Sequence, residues 1–205
     1  PPRSTLFPYT TLFRSPYIPD LRDYEVYYEP FLGGGSVALH ITKKYPKLKI
    51  VVNDLYEPLY NFWLQLQVNG DYVHSQLQQL KSRFPDRGSA RGLFEDAKEK
   101  LYDLDITDKD RAVCFYIINK CSFSGLTESS SFSAQASDAN FSMRGIDKLP
   151  VYSKLIEDWY ITNVDYRHML GDGEKTFIYL DPPYDIKDNL YGRKEIGRAS
   201  CRERV

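Results

Sequence analysis

Residues 181–184, with the sequence DPPY, are the segment of the chain whose residue types most directly indicate chemistry. They follow FIYL at 177–180, an apolar and aromatic run that is typical of a buried strand. Two consecutive prolines prevent helix continuation and further strand pairing, so the loop is stiff and holds Asp181 and Tyr184 in a fixed relation. Ligands of open α/β sheets bind at this end of the strands. The structural alternative is a strand-terminating turn with a solvated aspartate.

A glycine turn between a predicted strand and a predicted helix is the second candidate. It belongs to EPFLGGGS at 29–36, where consecutive glycines let a ligand approach the backbone and the free N–H groups of the following helix. No Gly-Lys-Ser/Thr sequence follows, so nucleotide triphosphate hydrolysis is disfavoured. Asp54 ends the next predicted strand, where an acid accepts hydrogen bonds from ribose hydroxyls. Asp54 could instead cap the following helix. Together, the turn and the acid favour a cofactor that contains adenosine.

The elements that would position these residues alternate between strand and helix. Predicted strands occur in EVYYEPF, KIVVND, WYITNVDY and TFIYLDPPY, and VALHITKKY, LYEPLYNFWLQLQ and VYSKLIEDW are helical in pattern. Residues 70–149 are charged and helical in pattern at first, and are then serine-rich and irregular from Ser122 onward. The sequence therefore predicts an α/β fold with a parallel sheet, in which 16–69 and 150–194 form one domain and 70–149 an inserted lobe.

The two ends of the chain are related at the level of DNA in a way that natural termini are not. TLFPYTTLFRS at 5–15 and EIGRASCRERV at 195–205 can be encoded by the two complementary strands of one DNA. We therefore interpret residues 1–15 and 195–205 as translated sequencing adapter and exclude them from fold reasoning. We expect both tails to pack poorly, the sheet to be incomplete at both ends, and the chain as written to be inactive.

Charge and cysteine content limit the classes of function. Without the charged residues of the two end segments the formal net charge falls from −1 to −4, so binding to nucleic acid would require a local basic patch. Cys114 and Cys121 remain, which are too few for a disulfide framework and are typical of a reducing compartment. No apolar run reaches the roughly 18 residues of a membrane span. These features favour a cytoplasmic protein that does not enter a membrane.

The order of the motifs resembles that of the Dam-type DNA adenine-N6 methyltransferases. EPFLGGGSVAL, the Asn-Asp pair at 53–54, ITNVDY and DPPY occur in this order over nearly all of 16–194, with a helical insertion in the corresponding place. The resemblance implies a Rossmann-like S-adenosylmethionine methyltransferase sheet with an inserted helical target-recognition lobe. It also implies that S-adenosylmethionine is bound by Pro30, Phe31, Gly33, Gly35, Asp54, Asp165 and Asp181.

The resemblance also implies a chemical role for the DPPY segment. The Asp181 carboxylate and the Pro182 carbonyl would accept the two hydrogens of the adenine amino group and leave its lone pair free to attack the methyl group. No metal is required, because the cofactor already carries a good leaving group. Tyr184 would stack on the base after it has left the helix, and Pro183 would keep the loop stiff. The predicted catalytic residues are therefore Asp181, Pro182, Pro183 and Tyr184.

The serine-rich part of the insertion resembles the family's target-recognition hairpin, so double-stranded DNA is the implied partner. Lys120 is expected to contact phosphate, and Phe123 and Leu126 to wedge into the base stack. Ser124 would reach a base edge, and Arg144 is a further candidate. Alternatively, Phe123 and Leu126 belong to a small core under a surface loop. The implied setting is a bacterial or phage-infected cell, with no obligate protein partner.

The sequence differs from the family pattern at both ends, and two other classes of function are alternatives to DNA adenine methylation. The family begins with a Trp-x-Gly-Gly-Lys-like segment, whose place is taken here by 1–15, and continues through further strands after DPPY. DPPY-like tetrads also occur in ribosomal RNA guanine-N2 and protein-glutamine methyltransferases, which lack a helical insertion of this length. A catalytically silent DNA-binding fragment is the alternative from another functional class.

Overall fold

A parallel four-stranded sheet forms the frame of the molecule. The computed structural model describes Leu6 and residues 18–123, 130–169 and 173–182. The strands lie in the order β3-β2-β1-β4, and every pairing is parallel, as the sequence predicts. Their bounds are β1 Val26–Glu29, β2 Lys49–Asn53, β3 Tyr160–Thr162 and β4 Thr176–Ile178.

Helices connect the strands and fill the long interval between β2 and β3. Among the described residues, no helix is long and apolar enough to cross a membrane. In chain order, the bounds are α1 Ser36–Lys44, α2 Glu57–Val68, α3 Gly70–Arg83, α4 Arg87–Lys100, α5 Asp108–Cys121, α6 Ala134–Asn140, α7 Met143–Ile146 and α8 Leu149–Leu155, and a 3₁₀ turn covers Tyr166–His168.

The helix α5 is buried along most of its length and joins the inserted helices to the sheet side of the molecule. Its residues from Ala112 to Cys121 are all buried. The ring of Phe62 on α2 lies 5.9 Å from the rings of both Phe115 and Tyr116, measured between centroids. Aromatic contacts of this kind add to the free energy of apolar burial. The inserted helices therefore share one continuous core with α2. The division of the chain into two domains stays a prediction.

The serine-rich segment is more helical than its composition predicts. The expectation of an irregular chain from Ser122 onward is wrong for 134–140 and 143–146, which form α6 and α7. Ser133 accepts a hydrogen bond from the Ala136 N–H group and Ser142 from that of Gly145, so both serines cap helices. Serine is favoured at such caps because its hydroxyl satisfies an unpaired amide at the first turn.

Leu6 packs more closely than expected for the N-terminal tail, while residues 1–5 and 7–15 lie outside the described residues. Its side chain is 0% exposed, and its backbone is held on both sides by α5. The Leu6 N–H group donates to Asn119 Oδ1 at 3.1 Å, and Lys120 Nζ donates to the Leu6 carbonyl at 2.7 Å. Because these bonds recognise only the backbone, they are compatible with a foreign segment as well as with a native one. The segment 195–205 lies outside the described residues.

Candidate functional site

The predicted cofactor residues follow the carboxyl ends of neighbouring parallel strands. The ends of β1, β2 and β3 are joined by direct hydrogen bonds at this edge of the sheet. The Leu32 N–H group donates to the Asn53 carbonyl at 2.8 Å, and the Asp54 N–H group donates to the Thr162 carbonyl at 3.3 Å. The sheet therefore brings the glycine turn, Asp54 and the segment after β3 together, at the position where α/β folds bind ligands.

The glycine turn depends on left-handed backbone conformations. Gly33 has φ 52° and Gly35 has φ 69°, values that favour glycine strongly. Gly35 is also the residue before α1, so the turn leads directly into the N-terminus of that helix. A Cβ atom added to Gly35 would lie 2.4 Å from Trp63 Cζ2. Both the conformation and the space at this position therefore require glycine.

Asp54 contacts the glycine turn directly. Its Oδ2 atom accepts a hydrogen bond from the Gly33 N–H group at 2.9 Å, and its Oδ1 atom accepts one from Tyr56 at 3.0 Å. Burial raises the pKa of the Asp54 carboxyl to about 6, although these two hydrogen bonds act in the opposite direction. Asp54 is not the N-cap residue of α2, because Tyr56 occupies that position, and the Asp54 carboxylate accepts the N–H group of Tyr56 just before the helix.

The segment after β3 brings an aromatic ring and a charged pair to the same edge. The rings of Phe31 and Tyr166 lie 5.3 Å apart between centroids, with a tilt of 41°. Asp165 forms two hydrogen bonds with the side chain of Arg167, at 2.9 and 2.6 Å. These bonds hold the pKa of the Asp165 carboxyl well below its usual range. Both Asp165 oxygens accept hydrogen bonds from Arg167 in this conformation. If Asp165 also binds the cofactor, it must do so with the lone pairs that Arg167 does not use.

Asp181 follows β4, which pairs with β1. The last paired residues are Tyr28 and Ile178, and the Tyr179 N–H group donates to the Tyr28 carbonyl at 2.8 Å. This register carries the chain after β4 to the same edge as the chain after β1. Asp181 and Pro182 are half-buried there. Pro183 and Tyr184 lie outside the described residues.

The expected DNA-binding residues lie in different environments. Phe123 is 68% exposed and therefore does not belong to a core, and Arg144 is exposed on α7. Lys120 is only 7% exposed, and burial lowers the pKa of its amine to about 8. Because Lys120 Nζ is bonded to the Leu6 carbonyl, it would reach a phosphate only if this contact opened. Ser124 and Leu126 lie outside the described residues.

Two residues that contribute to the geometry of the site were not predicted from the sequence. The indole N–H group of Trp63 donates to the Gly33 carbonyl at 3.1 Å, and Asn53 forms hydrogen bonds with the segments after β1 and β3. Trp63 resembles any other apolar residue of a helical pattern. Asn53 is adjacent to Asp54 at the end of a predicted strand, but the sequence gives no signal for its distant hydrogen-bond partners. No group of three or more His, Cys, Asp or Glu side chains among the described residues could hold a metal ion.

Comparison with known proteins identifies the family. The family model of the D12 class N6 adenine-specific DNA methyltransferases matches residues 15–200. The type II methyltransferase M.MjaIII of Methanocaldococcus jannaschii is 26% identical over 174 residues, which cover 77% of this chain and 58% of that protein. The type II methyltransferase M1.LlaDCHI of Lactococcus lactis subsp. cremoris is 27% identical over 183 residues, covering 78% of this chain and 57% of that protein. This chain thus spans a little over half the length of these relatives. From its motifs, its parallel sheet and the family match, the chain belongs to the D12 class of N6 adenine-specific DNA methyltransferases.

Proposed function

We propose that this protein transfers a methyl group from S-adenosylmethionine to the N6 amino group of an adenine in a short, specific sequence of double-stranded DNA. The family match over 15–200 supports the reaction. Both relatives carry the name type II methyltransferase, which supports the modification of a specific DNA sequence. DNA as substrate would place the protein in the cytoplasm of a bacterial or phage-infected cell.

The residues at the strand ends fit the chemistry of S-adenosylmethionine. The cofactor supplies an activated methyl group on a sulfonium centre. The turn at Gly33–Gly35 leaves no side chain between a ligand and the backbone, and it leads into the N-terminus of α1. Each Asp54 oxygen accepts one backbone hydrogen bond and keeps a further lone pair for a ribose hydroxyl. Phe31 and Tyr166 offer aromatic surface for the adenine ring.

Asp181 and Pro182 are proposed to activate the target adenine. The exocyclic nitrogen of adenine is a weak nucleophile because its lone pair is delocalised into the ring. If the Asp181 carboxylate and the Pro182 carbonyl accept its two hydrogens, the lone pair is directed out of the ring plane. Positioning for in-line transfer then supplies much of the rate. Tyr184 is proposed to stack on the flipped base and so offset part of the cost of removing it from the duplex.

The two ends of the proposed DNA-reading hairpin are paired with each other. Ser122 and Phe132 form an antiparallel bridge, and the Ser133 N–H group donates to the Cys121 carbonyl at 2.8 Å. Phe132 packs on Phe94 of α4, with ring centroids 5.7 Å apart. Phe123 follows Ser122 of this bridge and is mostly exposed. A side chain that inserts between stacked DNA bases would need this exposure.

The observation that carries the proposal is the convergence of the glycine turn, Asp54 and the strand leading to Asp181 at one edge of a parallel sheet. The test is transfer of a labelled methyl group by the protein with its full natural sequence, offered duplex DNA, ribosomal RNA or protein as substrate. We expect label in DNA alone. Label in RNA or protein would favour the guanine-N2 or glutamine alternatives, and DNA binding without transfer would favour a silent DNA-binding protein.

A further inference from the structure

We infer that Asn53, at the end of β2, is a positioning residue that holds the loops after β1 and β3 in one arrangement beside the loop that contains Asp54. The effect on the cofactor rests on the proposed function. The ordering of the loops is a property of the chain itself and can be tested separately. Asn53 is the last residue of β2, it is buried, and it directly precedes Asp54.

The side chain of Asn53 forms hydrogen bonds with the segments after two neighbouring strands. Its Nδ2 group donates to the Pro30 carbonyl at 3.1 Å and to the Val164 carbonyl at 3.0 Å. Its Oδ1 atom accepts from the Val164 N–H group and from Thr162 Oγ1, both at 2.9 Å. Pro30 begins the chain after β1, and Val164 lies after β3. One amide therefore connects the loops on both sides of β2.

Only an amide of this length satisfies all four contacts. A primary amide offers two donors on nitrogen and two acceptor lone pairs on oxygen, and Asn53 uses all of them. An aspartate would direct carboxylate oxygens at the carbonyls of Pro30 and Val164, which have no hydrogen to donate. A leucine would remove all four of these hydrogen bonds and would leave the buried Pro30 carbonyl without this partner, which costs free energy. The site therefore depends on asparagine rather than on burial alone.

The contacts of Asn53 extend to the residues that are proposed to touch the cofactor. Its own carbonyl accepts the Leu32 N–H group at 2.8 Å, one residue before Gly33. Asn163, between Thr162 and Val164, donates to the Asp54 carbonyl at 2.7 Å. Asn53 thus acts on the glycine turn and on Asp54 through the backbone. It should affect cofactor affinity more than the rate of methyl transfer once the site is filled.

The test compares Asn53→Leu with a matched change at a second buried asparagine. Asn61 lies on α2, and its Nδ2 group donates to the Asp108 carbonyl at 2.8 Å, at the start of α5. Asn61→Leu therefore removes a buried amide from the same core but leaves the strand ends intact. A milder variant, Thr162→Val, removes the hydroxyl that donates to Asn53 Oδ1, and it keeps the test usable if Asn53→Leu does not fold.

The first readout is hydrogen exchange, which needs no cofactor. We expect Asn53→Leu, and to a smaller degree Thr162→Val, to speed exchange of the amides at 31–35 and 163–165. Asn61→Leu should speed exchange near the start of α5 instead. Equal protection of the strand-end amides in all three variants and in the unaltered protein would overturn the inference.

The second readout is the affinity for S-adenosylmethionine and the turnover of the full natural protein. We expect roughly tenfold or greater weakening of cofactor binding in Asn53→Leu, with turnover at saturating cofactor much less affected. Asn61→Leu should bind the cofactor normally at a temperature where it is folded. Equal losses in Asn53→Leu and Asn61→Leu would overturn the positioning role. An unaltered protein that binds no S-adenosylmethionine would overturn the proposed function, while the exchange result would still decide whether Asn53 orders the loops.

Discussion

Asp54 combines two properties that are hard to reconcile in a purely structural residue. Its carboxylate accepts two backbone hydrogen bonds, yet burial raises its pKa to about 6. A neutral amide could not accept at both oxygen positions. The charge is therefore retained at a cost in desolvation, which is typical of residues that bind a ligand.

Asp54→Ala should weaken the binding of S-adenosylmethionine by about 1–3 kcal/mol, or roughly 5- to 150-fold. The physical reason is the loss of a charged acceptor for the ribose hydroxyls together with the support for the Gly33 N–H group. Calorimetric titration measures the change. Asp96→Ala, at an exposed position on α4, is the control and should bind as the unaltered protein does. Unchanged affinity in Asp54→Ala would remove this residue from the site.

The raised pKa of Asp54 predicts that cofactor affinity depends on pH. When the pH is below the pKa of about 6, the Asp54 carboxyl is mostly protonated and is a weaker acceptor. The affinity for the cofactor should therefore fall as the pH decreases through 6 and should be constant above about pH 7. Titrations between pH 5 and 8 measure this profile. Asp54→Asn cannot change charge in this range, so its weaker affinity should vary less with pH. The same decrease at low pH in both proteins would assign the titration to another group.

The glycine turn is the element whose geometry is most closely determined by its neighbours. Trp63 supports it from α2 in two ways, since its N–H group donates to the Gly33 carbonyl and its ring fills the space beside Gly35. Trp63 in turn contacts Trp159, with ring centroids 5.7 Å apart. These contacts of Trp63 therefore support the described conformation of the glycine turn.

Gly35→Ala should destabilise the protein by more than 1 kcal/mol and should abolish cofactor binding. The new methyl group would overlap the Trp63 ring, and φ 69° is unfavourable for alanine. Gly92→Ala is the matched control, because Gly92 lies within α4 with nothing within 4 Å of the added Cβ. It should stabilise the protein by about 0.5–1 kcal/mol. Thermal melting and cofactor titration of both variants separate the two effects, and a neutral Gly35→Ala variant would contradict the described turn.

Phe123 beside the hairpin base is predicted to act on DNA rather than on stability. Phe123→Ala should leave the melting temperature nearly unchanged, because the ring is 68% exposed, and should lower turnover on paired DNA by roughly tenfold. Leu104→Ala, which truncates a 91% exposed side chain after α4, should change neither property. A large fall in melting temperature without an effect on turnover would instead indicate a packing role for Phe123.

The strands and long helices could be predicted from the sequence because their patterns are local. The apolar run KIVVN forms β2, and residues 57–68, which have a helical pattern of apolar residues, form α2. Both elements lie close to the positions predicted from the sequence. The short helices α6 and α7 were missed, since their serine caps give the same composition as a loop. The roles of Asn53 and Trp63 could not be predicted, because their partners are distant in sequence and become neighbours only when the sheet forms.

In the molecule as a whole, α5 adjoins both the support of the proposed cofactor site and the start of the proposed DNA-reading hairpin. Its buried face packs on α2, which supports the glycine turn through Trp63, and its last residue precedes the base of the proposed DNA-reading hairpin. The expectation that residues 1–15 and 195–205 are adapter stays a prediction, with Leu6 packed on α5 in the described structure. The family match extends to residue 200 and so includes part of the second of these segments.

The central proposal is that this protein methylates adenine N6 in DNA and that Asp181 activates the target adenine. The most direct measurement is mass spectrometry of the nucleosides released from duplex DNA after incubation with S-adenosylmethionine and the protein with its full natural sequence. We predict N6-methyladenine as the methylated nucleoside, and none with Asp181→Ala, although that variant should still bind DNA. Methylated cytosine, or N6-methyladenine formed at an unchanged rate by Asp181→Ala, would contradict the account.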